Sequence, residues 1–372
     1  MDRRSPQDSS SSSSPGSGSR TAAAATATPR LALTTALAVA LIAPGVGAEA
    51  TGHAGKPKVT ELASFVDGPC IDDICATGST VGPDGALYAT DSSNGRIQRI
   101  EPRRGSVTTY ADGLPEQIPG GGGGGVQDVA FLGRTAYVLV GGVNEFWTEL
   151  IGSPNAPVTE GVYRLDRVGS GTTRATLVAD IYTWSKDNRP LNSNYFVPGG
   201  YTYAMEPYGD GFLVTNAHHN RVLRVRQNGD ISVFTDFNAN VVPTGLERVG
   251  PAVLVAQAGP LPHTPETGRA VGLWRAGGRV VPLASGAPLL VDVEVGQRYR
   301  LYGLAQGDWP DGGPEGSPAE PNTGYLMLAD RHGQFRSVVS GLDRPTTFEL
   351  IGETAYVVTI NGKVLRITGL GR

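Results

Sequence analysis

Positive charge, cysteine and aromatic side chains are all scarce in this chain of 372 residues. Lys and Arg number 31 against 35 Asp and Glu, for a formal net charge of -4, and no basic run gathers them. A sequence-independent grip on phosphate backbones needs clustered Lys and Arg, so nucleic acid is not an expected partner. With 2 cysteines and no Cys-His set at ligand spacing, neither a disulfide-rich scaffold nor a structural zinc site is expected. The longest apolar stretch, residues 31–43, falls short of the roughly 18 to 20 residues that cross a bilayer. Catalytic signatures are missing too: there is no GxSxG elbow, HExxH or P-loop, and no Ser-His-Asp set assembles from spacing. Gly120, Gly122 and Gly125 formally fit GxGxxG, but they sit in a glycine run before a strand, where a dinucleotide site needs a helix.

What the chain has in quantity is turn-forming residues, 52 Gly and 27 Pro, as an all-β protein with many short connections requires. Six times a short run of alternating apolar and polar residues recurs: GRIQRI from Gly95, GVYRLD from Gly161, NRVLRV from Asn220, VGLWRA from Val271, GYLMLA from Gly324 and GKVLRI from Gly362. Each lies in a similar strand-turn-strand context, which reads as a repeated four-stranded blade. Inner strands are expected near residues 74–81, 126–132, 201–207, 241–248, 290–295 and 346–351. The sixth repeat stops after its third strand, and residues 58–66 (KVTELASFV) resemble an outer strand with no blade before it. The fold class expected is therefore all-β: a six-bladed β-propeller, residues 58–372, closed by an N-terminal strand that completes the last blade and removes an open sheet edge.

Residues 1–50 read as an export signal with a Ser-rich leader, with small-residue cleavage sites at 46–48 and 48–50, and residues 51–57 as a linker. An uncleaved anchor and an organelle transit peptide are the alternatives. The expected mature chain is secreted or extracytoplasmic with no membrane span. Cys70 and Cys75 would then meet an oxidising compartment, and their spacing allows a disulfide.

Long connections at residues 112–125, 141–160, 184–200, 258–269 and 306–323 all fall in the second-to-third turns or the blade-to-blade links, which lie on one face of the ring. Loops on a rigid scaffold concentrate binding residues, so this face is the expected site. Trp147, Trp184 and Trp309, three of the 4 tryptophans, fall there with Phe146, Tyr195 and Phe196. Packing of loops against the ring and contact with a ligand or partner both account for them. Asn216, His218, His219 and His263 lie on the same face, where imidazoles serve a metal, acid-base chemistry or simple polarity. Asp72, Asp73, Asp128, Glu206, Thr244 and Arg344 are expected at the channel mouth, where they would hold a divalent cation or polar ligand, or cap turns. No other cofactor is expected.

The wording GPDGALYATDSSNGRIQRI, residues 82–100, resembles blades of NHL-like six-bladed propellers. Asp187-Asn188 with Asn192-Ser193-Asn194, Val242-Pro243-Thr244-Gly245, Gly259-Pro260-Leu261-Pro262 and the terminal GKVLRI together resemble the ScyD/ScyE family of secreted propellers, named for the gene cluster of the cyanobacterial sunscreen scytonemin. That resemblance spans about residues 58–368 and implies a fold and export rather than a reaction. The gluconolactonase and strictosidine-synthase-like propellers and the streptogramin lyases share the broad architecture, and the first of these hold a divalent metal with Glu, Asn and Asp at the channel mouth. The first inner strand here has no Glu to match that ligand. The leading expectation is a binding or interaction module for a small molecule or a protein or envelope partner. A metal-dependent hydrolase or lyase and a structural envelope component are the alternatives.

Overall fold

A computed structural model describes residues 56–120, 123–168, 172–190, 197–313 and 316–370. The leader, most of the linker, Asn192 to Asn194, Tyr195 and Phe196 lie outside the described residues. The described chain opens with β1 (Lys58–Ser64) and then forms blades in order. Blade 1 holds β2 (Ser79–Val81), β3 (Leu87–Asp91), β4 (Arg96–Ile100) and β5 (Val107–Ala111); blade 2 holds β6 (Gly125–Leu132), β7 (Thr135–Gly141), β8 (Gly161–Val168) and β9 (Thr172–Asp180). Blade 3 is β10 (Thr202–Tyr208), β11 (Gly211–Asn216), β12 (Arg221–Arg226) and β13 (Ile231–Asp236), and blade 4 is β14 (Pro243–Val249), β15 (Ala252–Gln257), β16 (Arg269–Leu273) and β17 (Val281–Ser285). Blade 5 comprises β18 (Leu290–Val295), β19 (Leu301–Ala305), β20 (Gly324–Ala329) and β21 (Phe335–Leu342), and the last blade β22 (Pro345–Ile351), β23 (Thr354–Thr359) and β24 (Lys363–Thr368).

Each blade is a four-stranded antiparallel sheet, and the sixth has the order β1-β24-β23-β22. The N-terminal strand thus supplies the missing outer strand, with Lys58 opposite Thr368 and Val59 opposite Ile367. The seam continues where Cys75 donates its amide to the Ile360 carbonyl (2.7 Å), joining the sixth blade to the first. A six-bladed β-propeller closed by its own N-terminus is therefore the fold.

Three copies of the repeated strand open on Gly or Asn for a backbone reason. Gly95 has φ 55°, Asn220 φ 51° and Gly362 φ 74°, the left-handed region that other L-residues avoid. Space adds to the demand, since a Cβ on Gly95 would collide with the Leu114 carbonyl. The apolar residues of the alternating strands then meet those of the next blade in six buried clusters, one for each blade-to-blade interface. Between blades 1 and 2, Tyr88 packs edge-on against Phe131 with ring centroids 4.8 Å apart, a contact that contributes roughly 0.5–1.5 kcal/mol beyond area burial. Stability is spread around the ring, and no single blade carries it.

Two short helices interrupt the strand pattern, α1 (Glu145–Leu150) and α2 (Ile181–Asp187), both in long connections on the expected face. Cys70 and Cys75 form a disulfide, with Cα atoms 4.9 Å apart. Among the described residues no helix is long and apolar enough to cross a membrane.

Candidate functional site

The inner strands line the axis, and a bulge in five of them sets which side chains face it. Register shifts occur in β6, β10, β14, β18 and β22, each where one extra residue is inserted near the start of the strand. Within the bulge five blades each contribute one residue to a collar, Gln127, Tyr203, Thr244, Val291 and Thr346, and blade 1 adds Thr77. Above the collar, on the long-loop face, is a funnel of about 400 Å³; below it a smaller chamber of about 230 Å³. Thr77, Tyr203, Val291 and Thr346 line both spaces, so the collar divides one axial channel.

The funnel is apolar and uncharged. Ile74, Trp147, Leu150, Val197, Tyr201, Val242, Leu261 and Leu289 contribute to its wall, and among the described residues no Asp, Glu, Lys or Arg lines it. Its polar groups include Gln127, Gln306, His218 and His263. Burial pushes His218 down to about 4, so it is neutral near pH 7. His263 is shifted the same way, chiefly by burial. Its Nδ1 lies 2.7 Å from the Gly259 carbonyl, which can only accept, so Nδ1 carries the proton and Nε2 is left as an acceptor.

Local chemistry places Trp147 at this wall. Asn144 caps α1 by accepting from the amides of Phe146 (2.8 Å) and Trp147 (3.3 Å). Glu160 Oε1 in turn accepts from the amides of Val143 (2.7 Å) and Asn144 (3.0 Å), which ties the helix entry to the start of β8. Burial pushes Glu160 up to about 7. The Trp147 ring then lies edge-on to Tyr201 across the wall, centroids 6.2 Å apart.

The lower chamber has the opposite character. Glu206, Glu247, Glu294 and Glu349 occupy one register position in blades 3 to 6, opposite Leu213, Leu254, Tyr302 and Tyr356 of the neighbouring strands. Blades 1 and 2 place Thr80 and Ala130 there, opposite Tyr88 and Tyr137. Burial pushes all four glutamates up, Glu247 to about 8, and repulsion from neighbouring carboxylates adds to the shift. Among the described residues no three His, Cys, Asp or Glu side chains converge closely enough to hold one metal ion.

Several expected site residues lie outside the funnel or are held within the frame. Asp128 is not at the long-loop mouth: it lines the lower chamber, and its two oxygens accept from the amides of Val129 (2.8 Å) and, in the next blade, Met205 (2.7 Å). Three blades on, Asp292 repeats the clamp on Val293 (2.9 Å) and Phe348 (3.0 Å). Glu206 also belongs to the lower chamber. Asn216 is fully buried, accepting from the Tyr201 amide and donating to the Gly199 carbonyl. His219, 2% exposed, is held between the Val197 carbonyl and the Arg221 guanidinium, so it too is part of the frame. Arg344 pairs with Asp343 (3.0 Å) and does not line the funnel. Asp72 accepts from the Gly120 amide in the exposed disulfide loop, and Asp73 beside it is exposed as well.

The tryptophans divide likewise. Trp147 lines the funnel, whereas Trp184 stacks under the Arg221 guanidinium at 5.1 Å and packs on the interface of blades 2 and 3. Trp309 packs on the interface of blades 5 and 6, edge-on to His263 at 6.2 Å. The funnel thus unites Trp147, His218, Thr244 and His263 from among the expected residues. Gln127, Tyr201 and Tyr203 were missed, because which inner-strand residue faces the axis depends on the bulge. The glutamate ring did leave a sequence signal, an apolar-Glu pair in four inner strands: Met205-Glu206, Leu246-Glu247, Val293-Glu294 and Phe348-Glu349.

No family model matches the chain, and no curated protein matches its sequence. Solved structures do share its fold. A virginiamycin B lyase from Staphylococcus aureus is 14% identical, with 84% of this chain and 99% of that one covered at a TM-score of 0.50. A gluconolactonase from Xanthomonas campestris is 12% identical over 85% of this chain and 90% of its own, with a TM-score of 0.53. A protein of unknown function from Bacteroides thetaiotaomicron is 10% identical over 84% of this chain and 75% of its own, also at 0.53. At these identities the likeness establishes the propeller fold and leaves activity to the site.

Proposed function

We propose that this protein is an extracytoplasmic binding module that takes a small apolar molecule into the funnel on its long-loop face. The observation that carries the reading is the funnel itself: about 400 Å³, walled largely by aliphatic and aromatic side chains, with no charged residue among the described residues of its lining. That volume lies within the roughly 300–1,000 Å³ of ordinary small-molecule sites, which are likewise mostly apolar with a few placed polar groups. Leu150 and Leu261, 56% and 38% exposed, stand on its wall, so apolar surface reaches solvent where a ligand would enter. The Cys70–Cys75 disulfide and the apolar leader at residues 31–43 support an oxidising, extracytoplasmic setting. Membership of the ScyD/ScyE propellers belongs to the same reading and is supported by the motifs quoted above.

The test is retention from a mixture. Purified mature protein is incubated with an organic-solvent extract of the source cells, washed by gel filtration and analysed by mass spectrometry. A neutral lipophilic compound held by the wild type and lost from Leu150→Arg/Leu261→Arg is the expected result. Equal retention by both proteins would contradict the assignment of the funnel.

Hydrolase or lyase chemistry is the competing reading, and one observation favours it: His218 and the acceptor Nε2 of His263 share the funnel wall as neutral imidazoles suited to proton transfer. A metal-dependent version would call on carboxylate ligands, which the described funnel lining does not offer, since Asp128 and Glu206 lie below the collar. Turnover of a lactone or ester panel that disappears in His263→Ala would establish it.

A further inference from the structure

Two side chains of the funnel wall each carry a buried hydrogen-bond donor with no partner among the described residues. Gln127 is 2% exposed, and its Nε2 has no protein partner among the described residues. The Nε1 of Trp147 is in the same condition. Both side chains line the funnel. Buried polar groups are paired in the great majority of cases, and one left without a partner costs about 1–3 kcal/mol. The same condition occurs away from the funnel, at Trp274 Nε1 and Trp309 Nε1 among others, but Gln127 and Trp147 place two such donors on one cavity wall.

Orientation strengthens the point. The Tyr201 hydroxyl donates to Gln127 Oε1 (3.3 Å), and the Tyr201 oxygen itself receives the Gly124 amide. The amide is thereby turned with its carbonyl toward Tyr201 and its Nε2 hydrogens elsewhere. Neither donor carries a charge, and among the described residues the surrounding wall carries none. A carboxylate or phosphate would enter without a counter-charge, and an ammonium would meet donors where it needs acceptors.

From this we infer that the funnel's ligand is an uncharged apolar molecule bearing a hydrogen-bond acceptor, such as a carbonyl oxygen, which Gln127 Nε2 and Trp147 Nε1 recognise. The inference rests on the binding function proposed above and adds the polarity of the ligand. Gln127 stands on the collar, at the bottom of the funnel, and Trp147 stands on the loop wall, so the acceptor enters first and the apolar body fills the space above.

A pair of fluorophores separates the two levels of the proposal. Prodan is a neutral naphthyl ketone; its parent, dimethylaminonaphthalene, has the same rings and no carbonyl. Both are titrated into the wild type, Gln127→Leu and Trp147→Phe, each checked for an unchanged circular dichroism spectrum. The wild type is expected to favour prodan over the parent by about 5- to 20-fold more than Gln127→Leu does, with the parent's affinity kept in the variant. Trp147→Phe is expected to lose part of the same preference, and its result decides the matter if Gln127→Leu fails to fold. A prodan-to-parent ratio unmoved by both substitutions would overturn the acceptor inference while leaving the binding site in place. Failure of both probes to bind the wild type would instead remove the funnel reading on which it stands.

Discussion

The Tyr201 hydroxyl donates to Gln127 Oε1 at 3.3 Å, linking the start of blade 3 to the collar residue of blade 2 and fixing the direction of an amide inside the funnel. Neither residue ranks among the chain's conspicuous features. Their contact nonetheless gives the apolar funnel its polarity.

Tyr201→Phe tests that relationship without altering the shape of the wall. Loss of the hydroxyl removes the bond that holds the amide, so the preference for prodan over its parent is expected to fall by about 2- to 5-fold. The melting temperature should move little, since one neutral hydrogen bond contributes about 1 kcal/mol. Measured together, the two quantities distinguish a positioning role from a structural one.

The three loop tryptophans are expected to report differently on a bound probe. Trp147 lines the funnel, whereas Trp184 is sandwiched with Arg221 and Trp309 is packed on an inter-blade cluster. Quenching by prodan should therefore shrink sharply in Trp147→Phe and persist in Trp184→Phe and Trp309→Phe. Quenching lost in all three variants alike would argue against this division.

Asp128 illustrates how a residue that reads as a ligand becomes a clamp. Asp128→Ala leaves the amides of Val129 and Met205 without their acceptor inside the ring, an expected loss of about 2–4 kcal/mol. Asp128→Asn keeps one carbonyl oxygen and should cost less. Chemical denaturation of both variants measures the difference, and prodan affinity in the folded state should be unchanged.

Stability should depend on pH through the lower chamber. Burial pushes Glu247 up to about 8 and Asp292 to about 7, and moves Asp128, Glu206, Glu294 and Glu349 the same way. Unfolded carboxylates titrate near 4 to 4.5, so between that range and pH 8 the folded state holds protons that the unfolded state has released. Their contribution is present in full at the acidic end and is lost as pH rises through 7 to 8. His218 and His219, both pushed down to about 4 by burial, act in the opposite sense between about pH 4 and 6.5, where the unfolded imidazoles bind protons and the folded ones do not. Above pH 6.5 the carboxylates remain the main change, so the melting temperature is expected to fall from pH 6.5 to pH 8.5. Glu294→Gln should flatten that fall and raise the melting temperature at pH 8.5 by roughly 2–6 °C. A melting temperature that climbs over this range would contradict the picture of an uncompensated carboxylate ring.

The fold was legible because its signals are local. A Gly or Asn at the head of most of the repeated strands, alternating apolar residues after it and an unpaired edge in the last repeat are all visible one segment at a time, and residues 58–64 do pair with β24 as their pattern suggests. The site was legible only by face. The long-loop face is where the funnel opens and it holds Trp147, His218 and His263, but the axial residues depend on a one-residue bulge that reverses side-chain parity partway along five of the inner strands. Reading the residues near the start of each inner strand as the channel mouth put Asp128 and Glu206 above the collar, whereas they line the lower chamber, and passed over Gln127. Asn216 and His219 were misread for a different reason: their partners, Gly199 and Val197, belong to a long connection whose return path no local pattern reveals.

Prodan titration of four proteins tests most directly that function resides in the apolar funnel and not in the carboxylate chamber. These are the wild type, Leu150→Arg/Leu261→Arg at the exposed edge of the funnel, Glu294→Gln below the collar, and the triple variant combining them. The expected result is at least a 10-fold weaker affinity in both proteins carrying the arginines and wild-type affinity in Glu294→Gln. Unchanged affinity in the arginine variants, or a loss confined to Glu294→Gln, would contradict it.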